Sequence, residues 1–511
     1  MICDSTIIKC LIKVYHYFSI KYQESLAHSL LGRFLNRIKN LVLESYIFSV
    51  CSREGKLSNL WYSSRFYILF FNWIDYIGNK LVNIAFLNSD YLKSSCLYRL
   101  LAVITRYLYA VIAASIFVLL IVPHESWNDI YIVIIVITLL LLFLCKRIIE
   151  KNTRISREIN NVYFIIFFIS IVFSEVFSIS PRASLKFFLF YCSCFLIVFL
   201  LVNSINSLKE LEQVIFIILI GVLIAGMTGV YQGFAGVPVK PSEVDLNLNQ
   251  DMPGRVYSTF FNTNNFAEIL AMLIPLGFSL FTNANSLKKK LLILFMLCPP
   301  FVSLLLTYSR SSWVGLAIAF FLMFLFLYRK WIPLFFILIF ISIPFLPQSI
   351  YRRILTTTNF QDSSIKYRIS IYRTLWPVIR NNWLSGIGTG TDTFKMMVQN
   401  YSLALLQNRV PPHSHNLILQ IWLEDGLIGM LSFLGSILSV IKNGMKIFAC
   451  NIDKKYKSII ISGISSIIGI LVVCMAEYIW YYPRVMVVFW FVVGVTLTAI
   501  NLARAEINKI Q

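Results

Sequence analysis

Two histidines stand one residue apart in VPPHSHNLILQIWLEDGLIG, at His413 and His415, in a chain that has only five. An imidazole takes or gives a proton near neutral pH, so either could do acid–base work. Pro411 and Pro412 hold the approach extended, and Asn416 suits the N-cap of the apolar helix that follows. The pair therefore sits where a large loop enters a membrane span. Position alone leaves two further readings open: an ordinary loop histidine, and a metal ligand with no evident third partner nearby.

Arginines are the second signal. Arg255 precedes VYSTFFNTNNFAEIL at the mouth of a span, and Arg310 lies in LLTYSRSSW between two spans with almost no loop. Cations on short outer loops run against the positive-inside tendency and call for a compensating partner. A guanidinium fork matches phosphate oxygens bidentately and keeps its charge at any relevant pH. Interfacial snorkelling is the alternative, and for Arg182, after a proline, it is the preferred one. Carboxylates inside or beside apolar spans are the third signal: Glu268, Glu424, Asp425 and Glu477. A charge at mid-membrane costs about 2.5–3.5 kcal/mol on insertion scales, so pairing with the outer arginines is the economical account, and proton relay the other. Asp425 precedes Gly426, where the helix can bend. Three alternate glycines in SGIGTGTDTF could cradle phosphate, but no strand–helix context or GK[ST] accompanies them.

The elements that must position these groups are membrane helices. The 511 residues are 58% apolar and 14% charged, with a mean hydropathy of +0.74. A soluble fold usually carries near 45–50% apolar and about 25% charged residues, so a soluble enzyme is excluded. Lys plus Arg total 45 against 24 Asp plus Glu, a net charge of +21. Basic loops against anionic lipid account for that excess, and no nucleic-acid-binding motif is present. The ten cysteines form no disulfide framework, and Cys192 and Cys194 read as small buried residues.

The expected fold is all-α and polytopic, with about twelve transmembrane helices at 107–122, 130–145, 161–178, 184–202, 214–234, 264–283, 291–307, 312–328, 331–347, 417–441, 459–477 and 485–503. Residues 1–105 form a basic cytoplasmic or interfacial region, with amphipathic stretches at 30–42 and 66–87. Residues 106–511 form the transmembrane domain. Basic loops such as KRIIEKNTRISR and NANSLKKK place both termini in the cytoplasm. The large loop 348–415 then lies outside and contains an amphipathic helix, with Ile369, Tyr372, Leu375, Trp376 and Ile379 on one face. That side holds no ATP, so a reaction there must draw on a bond already activated in its substrate.

Taken together, RVYSTFFNTNNFAEILAMLIPLG, LLTYSRSSWVG, the run from RISIYRTLW through SGIGTGTDTF, and HSHNLILQIWLEDGLIG resemble the O-antigen ligase and polymerase superfamily of bacterial envelope glycan assembly. The resemblance covers roughly residues 254–432 and implies a membrane glycosyltransferase in the inner (cytoplasmic) membrane, independent of metal or other cofactor. It would move a saccharide from undecaprenyl diphosphate to the hydroxyl of a glycan or lipid acceptor on the outer side. Carried over by motif, His415 is the base or acceptor activator, and Arg255 and Arg310 grip the diphosphate. Arg368 matches the arginine that opens the loop helix, and His413 joins the substrate-binding residues. The rival is a secondary transporter of a small anion such as bicarbonate, for which the chain lacks an internal repeat.

Overall fold

Long runs of Leu, Ile, Val and Phe leave a backbone in lipid one open-chain solution, the helix, which satisfies its own amides. The computed structural model describes residues 33, 60–61, 63–87, 95–150, 155–156, 161–239, 253–345, 347–355, 363–402, 406 and 410–510. Every regular element among these residues is helical. The amphipathic stretch expected over 30–42 lies outside them, save for Arg33.

The chain divides into two units, residues 55–319 with 348–511, and residues 1–54 with 320–347. The larger unit opens with α1 (Arg65–Leu87), α2 (Cys96–Arg106) and α3 (Leu108–Ile121). Helices α4 (Ile130–Ile149), α5 (Val162–Val176), α6 (Pro181–Ser204), α7 (Leu208–Ala235), α8 (Thr263–Asn283) and α9 (Leu287–Leu306) follow. Next comes α10 (Arg310–Leu327), whose last turns belong to the smaller unit with α11 (Ile332–Ser342). Within that smaller unit Phe324 packs on Phe335, ring centroids 5.1 Å apart. The larger unit resumes with three helices of the expected loop: α12 (Gln348–Leu355), α13 (Ser363–Asn381) and α14 (Thr391–Val398). It closes with α15 (Leu417–Ala449), α16 (Lys454–Cys474) and α17 (Pro483–Ile510).

Nine of the described helices are long and apolar enough to cross a membrane, and a tenth counts if α2 and α3, bent by 74° at Tyr107, make one span. Each of the twelve expected spans has a helix in its place. The shortfall lies in α5 and α11, whose 15 and 11 residues are short for a 30 Å core. This is a multi-pass membrane protein.

Burial ranks the helices. α17, α8 and α16 are buried along most of their length and form the centre, whereas α4 and α9 present most of their surface outward. Small residues let the backbones approach closely, as association in lipid requires. A Cβ at Gly226 of α7 would strike the backbone of Pro300 in α9, and one at Gly463 of α16 would strike Thr496 of α17.

The loop helix α13 differs from expectation in rotation. Ile371, Leu375, Val378 and Ile379 are buried against Ile387, Phe394, Val398, Leu406 and Leu423, whereas Ile369 and Trp376 are exposed. Ile371 and Val378 extend the apolar arc beyond the five residues expected to share a face. The widened arc splits: one edge packs on protein and the other stays outside.

Candidate active site

The starts of α8, α10, α13, α15 and α17 and the ends of α9 and α16 meet at one end of the bundle, and the candidate residues sit there. The segment before α8 enters alongside the end of α9, where Val256 N donates to Leu306 O at 3.3 Å. This brings buried Arg255 against the C-terminus of α9, and its Nε donates to the Thr307 carbonyl at 2.7 Å. A cation at the carbonyl end of a helix is favoured by both hydrogen bonding and the helix dipole. Arg310 opens α10, half-buried, three residues beyond that carbonyl.

Asn262 caps α8 by accepting from Asn264 N at 2.7 Å, which fixes Asn264 in the first turn. The Asn264 amide then bridges two charges. Its Oδ1 accepts from the Arg255 Nη2 at 2.6 Å, and its Nδ2 donates to Oε1 of Glu477 at 3.2 Å. Glu477 lies between α16 and α17, buried, and the same Oε1 also receives Arg368 from the first turns of α13.

The other carboxylate oxygen, Oε2, lies 3.2 Å from Nδ1 of His415. Burial acts to raise the Glu477 pKa, but the Arg368 guanidinium, then the hydrogen bond from His415, outweigh it and hold the carboxyl down to about 2. An ionised carboxylate can only accept, so the neutral His415 ring carries its proton on Nδ1 and leaves Nε2 as the acceptor.

The turn around His415 is held by its neighbours. His415 has φ of +52°, a left-handed conformation that a side chain disfavours. Its amide donates to His413 Nδ1 at 3.1 Å, and its carbonyl accepts from the Tyr372 hydroxyl at 3.2 Å. Burial presses the His413 pKa well below the usual value, so that ring stays neutral. It lies between His415 and Tyr481, ring centroids 4.1 and 4.7 Å away. Asn416 caps α15 by accepting from Leu419 N at 3.0 Å, as its position suggested.

Among the described residues, two other non-glycines share the left-handed conformation, Ser258 at +53° and Tyr308 at +52°. Each lies within three residues of a candidate arginine, and each backbone is gripped from the side. Gln232 Oε1 accepts from Ser258 N at 2.7 Å, and buried Arg353 donates through Nε to Tyr308 O at 3.4 Å. Strain of this kind persists only where surrounding contacts over-determine it, and it gathers at functional sites.

The expected pairing of membrane carboxylates with arginines holds for Glu477 and fails for the other three. Glu424 is hydrogen-bonded by Gln420 Nε2 at 2.9 Å and by the Tyr478 hydroxyl at 3.3 Å. Neither Glu268 nor Asp425 meets a guanidinium among the described residues.

The glycine-rich loop has a structural task. At Gly426 (φ +71°) α15 breaks, which frees backbone groups on both sides. Ile387 N donates to Leu423 O at 2.9 Å, Gly388 N to Glu424 O at 3.2 Å, and Leu427 N to Trp383 O at 2.9 Å. Gly386, Gly388 and Gly390 all have positive φ, and a Cβ on Gly386 would collide with the Glu424 carbonyl. The two amides that a phosphate would need are already bonded to the broken helix.

Residues 291–434 match the family model described as O-antigen ligase. Over that stretch the chain is similar to the O-antigen ligase family. The matched stretch runs from α9 through Arg310, Arg368, the broken start of α15 and both histidines. Arg255 precedes it and Glu477 follows it. The similarity supports a membrane enzyme of the ligase and polymerase type and lends nothing to the transporter alternative. No curated protein matches the chain.

Sequence reasoning missed the connecting residues. Asn264 had a visible signal, a run of four polar residues at the head of an apolar helix. Tyr372 had none beyond its place in the amphipathic pattern. Arg484 was also missed, and its task is structural: it donates to Thr259 O at 3.2 Å and Val122 O at 2.9 Å, stitching the end of α3 to the start of α17.

Proposed function

We propose that this enzyme transfers or polymerises a saccharide from an undecaprenyl-diphosphate-linked donor onto an acceptor hydroxyl at the outer face of the cytoplasmic membrane. The observation that carries this reading is the bonded chain Arg255–Asn264–Glu477, with Arg368 and His415 both on Glu477. Arg255 and Arg368 converge on the Asn264–Glu477 link, and Arg310 opens α10 three residues beyond the carbonyl that Arg255 holds. Guanidiniums suit the two phosphates of a lipid-linked donor, and the His415 imidazole stands on the same carboxylate as Arg368.

In this reading the acceptor hydroxyl approaches from the aqueous side and gives its proton to His415 Nε2. Its oxygen attacks the anomeric carbon, and the bond from that carbon to the diphosphate breaks with inversion. Arg255 and Arg310 bind the diphosphate and stabilise the charge that grows on it as it leaves. Glu477 fixes the His415 tautomer, Arg368 keeps Glu477 ionised, and His413 supports the turn at the edge of the substrate site. The donor carries the activated bond, so neither metal nor nucleotide enters the scheme. Both termini lie in the cytoplasm, consistent with the basic loops at the opposite end.

The test is transfer by purified protein in proteoliposomes with a lipid-linked saccharide and an acceptor. His415→Ala and Arg310→Ala abolish transfer while the proteins remain monodisperse. Undiminished transfer by His415→Ala removes the imidazole from the mechanism.

A further inference from the structure

Helix α13 presents to the outside a pattern that the transfer reaction does not use. Lys366, Arg373 and Arg380 recur every seven residues and are all exposed, and none has a carboxylate partner among the described residues. Three residues on from each stand Ile369, Trp376 and Trp383, exposed to 41%, 59% and 49%. Seven residues make nearly two full helical turns, so each set forms a stripe along the axis, and the two stripes lie about 60° apart. From Lys366 to Arg380 the cationic stripe spans roughly 21 Å. Trp383 stands just past the helix end, where its carbonyl accepts from Trp422 Nε1 at 2.9 Å.

The rotation of α13 is fixed from behind, because Ile371, Leu375, Val378 and Ile379 are buried on the opposite side. The exposed stripes are thus a set surface. Leu384 extends the apolar stripe, and the same end of the bundle exposes Val176, Phe177 and Ile179, whose amide joins the glycine loop at 3.3 Å. An apolar tryptophan stripe beside unpaired cations, continuous with lipid-facing residues, matches the boundary between acyl chains and headgroups.

We propose that this face of α13 is a binding surface for anionic phospholipid of the leaflet on the active-site side. Trp376 and Trp383 seat among the upper acyl chains, and headgroup phosphates bind Lys366, Arg373 and Arg380. Arg368 opens the same helix on the Glu477 side, so lipid on the outer edge steadies the element that carries it. The surface requires only that the chain lies in a membrane, and it stands or falls apart from the transfer chemistry.

The test uses the full chain in nanodiscs with acyl-brominated phosphatidylglycerol or, at equal mole fraction, acyl-brominated phosphatidylcholine. Fluorescence of the wild type minus that of Trp376→Phe isolates Trp376. Brominated phosphatidylglycerol quenches it with an apparent enrichment of at least about fivefold, what one cation is worth at an anionic surface. Lys366→Gln/Arg373→Gln/Arg380→Gln, made together, keeps the quenching by phosphatidylcholine and loses the enrichment. No quenching by either lipid overturns the proposal, because the face is then covered by protein or turned to water. Equal quenching by both, or an enrichment that survives the triple variant, also overturns it. A second variant, Trp376→Ala, checks folding through an unchanged melting temperature.

Discussion

Nδ1 of His415 lies 3.2 Å from Oε2 of Glu477, although 62 residues separate them in the chain. The histidine comes from the loop before α15 and the carboxylate from the turn after α16. Their contact settles which imidazole nitrogen is open, and with it what the histidine can do. Glu477→Gln keeps the volume but offers an amide that can donate to Nδ1 and stabilise the wrong tautomer, and it removes the carboxylate charge that receives Arg368. Transfer should fall by a factor on the order of 10³, through kcat more than KM, as expected of a group acting through another. Glu477→Asp, one methylene short, should recover part of the loss.

The same carboxylate gives a pH dependence of stability. Its pKa is held at about 2 against an ordinary 4.5, so the folded state binds this proton less readily than the unfolded chain. The stabilisation is therefore full above about pH 4.5 and lost as pH falls towards 2. Melting temperature in detergent should drop through that window for the wild type, with a shallower drop for Glu477→Gln.

Arg255 holds two acceptors in different directions, Thr307 O and Asn264 Oδ1. A lysine ammonium is a point charge and cannot span both. Arg255→Lys should lower transfer roughly 10–100-fold, and Asn264→Ala should give a similar deficit by cutting the link to Glu477. Charge alone, if sufficient, would leave Arg255→Lys near wild-type rates.

His413 supports the reaction through the backbone. His413→Ala removes the acceptor for the His415 amide and should cost about tenfold in rate, of the order expected when a strained turn relaxes. His413→Asn, whose Oδ1 stands near where Nδ1 was, should restore most of it. His415→Asn should restore nothing.

Gly426→Ala should be among the most destabilising single substitutions. The position has positive φ, and an added Cβ would strike the Leu384 carbonyl. The cost should exceed about 2 kcal/mol, read as a lower melting temperature.

Much of this was legible in the sequence. Helices announced themselves through composition, and Asn416 and Gly426 were marked by residue types with one strong local preference. Arg255 and Arg310 could be singled out because a charge beside lipid needs a reason, His415 because an imidazole stands where a loop enters a span, and Arg368 only through the family resemblance. What stayed hidden depends on juxtaposition. Asn264 and Tyr372 act by joining segments far apart in the chain, and no local pattern carries that. Arg353 is buried against Tyr308 O although its helix reads as a surface segment. The glycines of SGIGTGTDTF looked like a possible phosphate loop, because the broken helix that takes up their amides is only assembled in three dimensions.

The central claim is that these guanidiniums hold a lipid diphosphate while the His415 imidazole activates an acceptor. The most direct measurement is the stoichiometry of lipid diphosphate released per saccharide bond formed by purified, reconstituted protein in the presence of a chelator. The account predicts one lipid diphosphate per bond, with inverted anomeric configuration and no release when the acceptor is left out. Transfer that needs added metal or nucleotide, or that retains configuration, would contradict it.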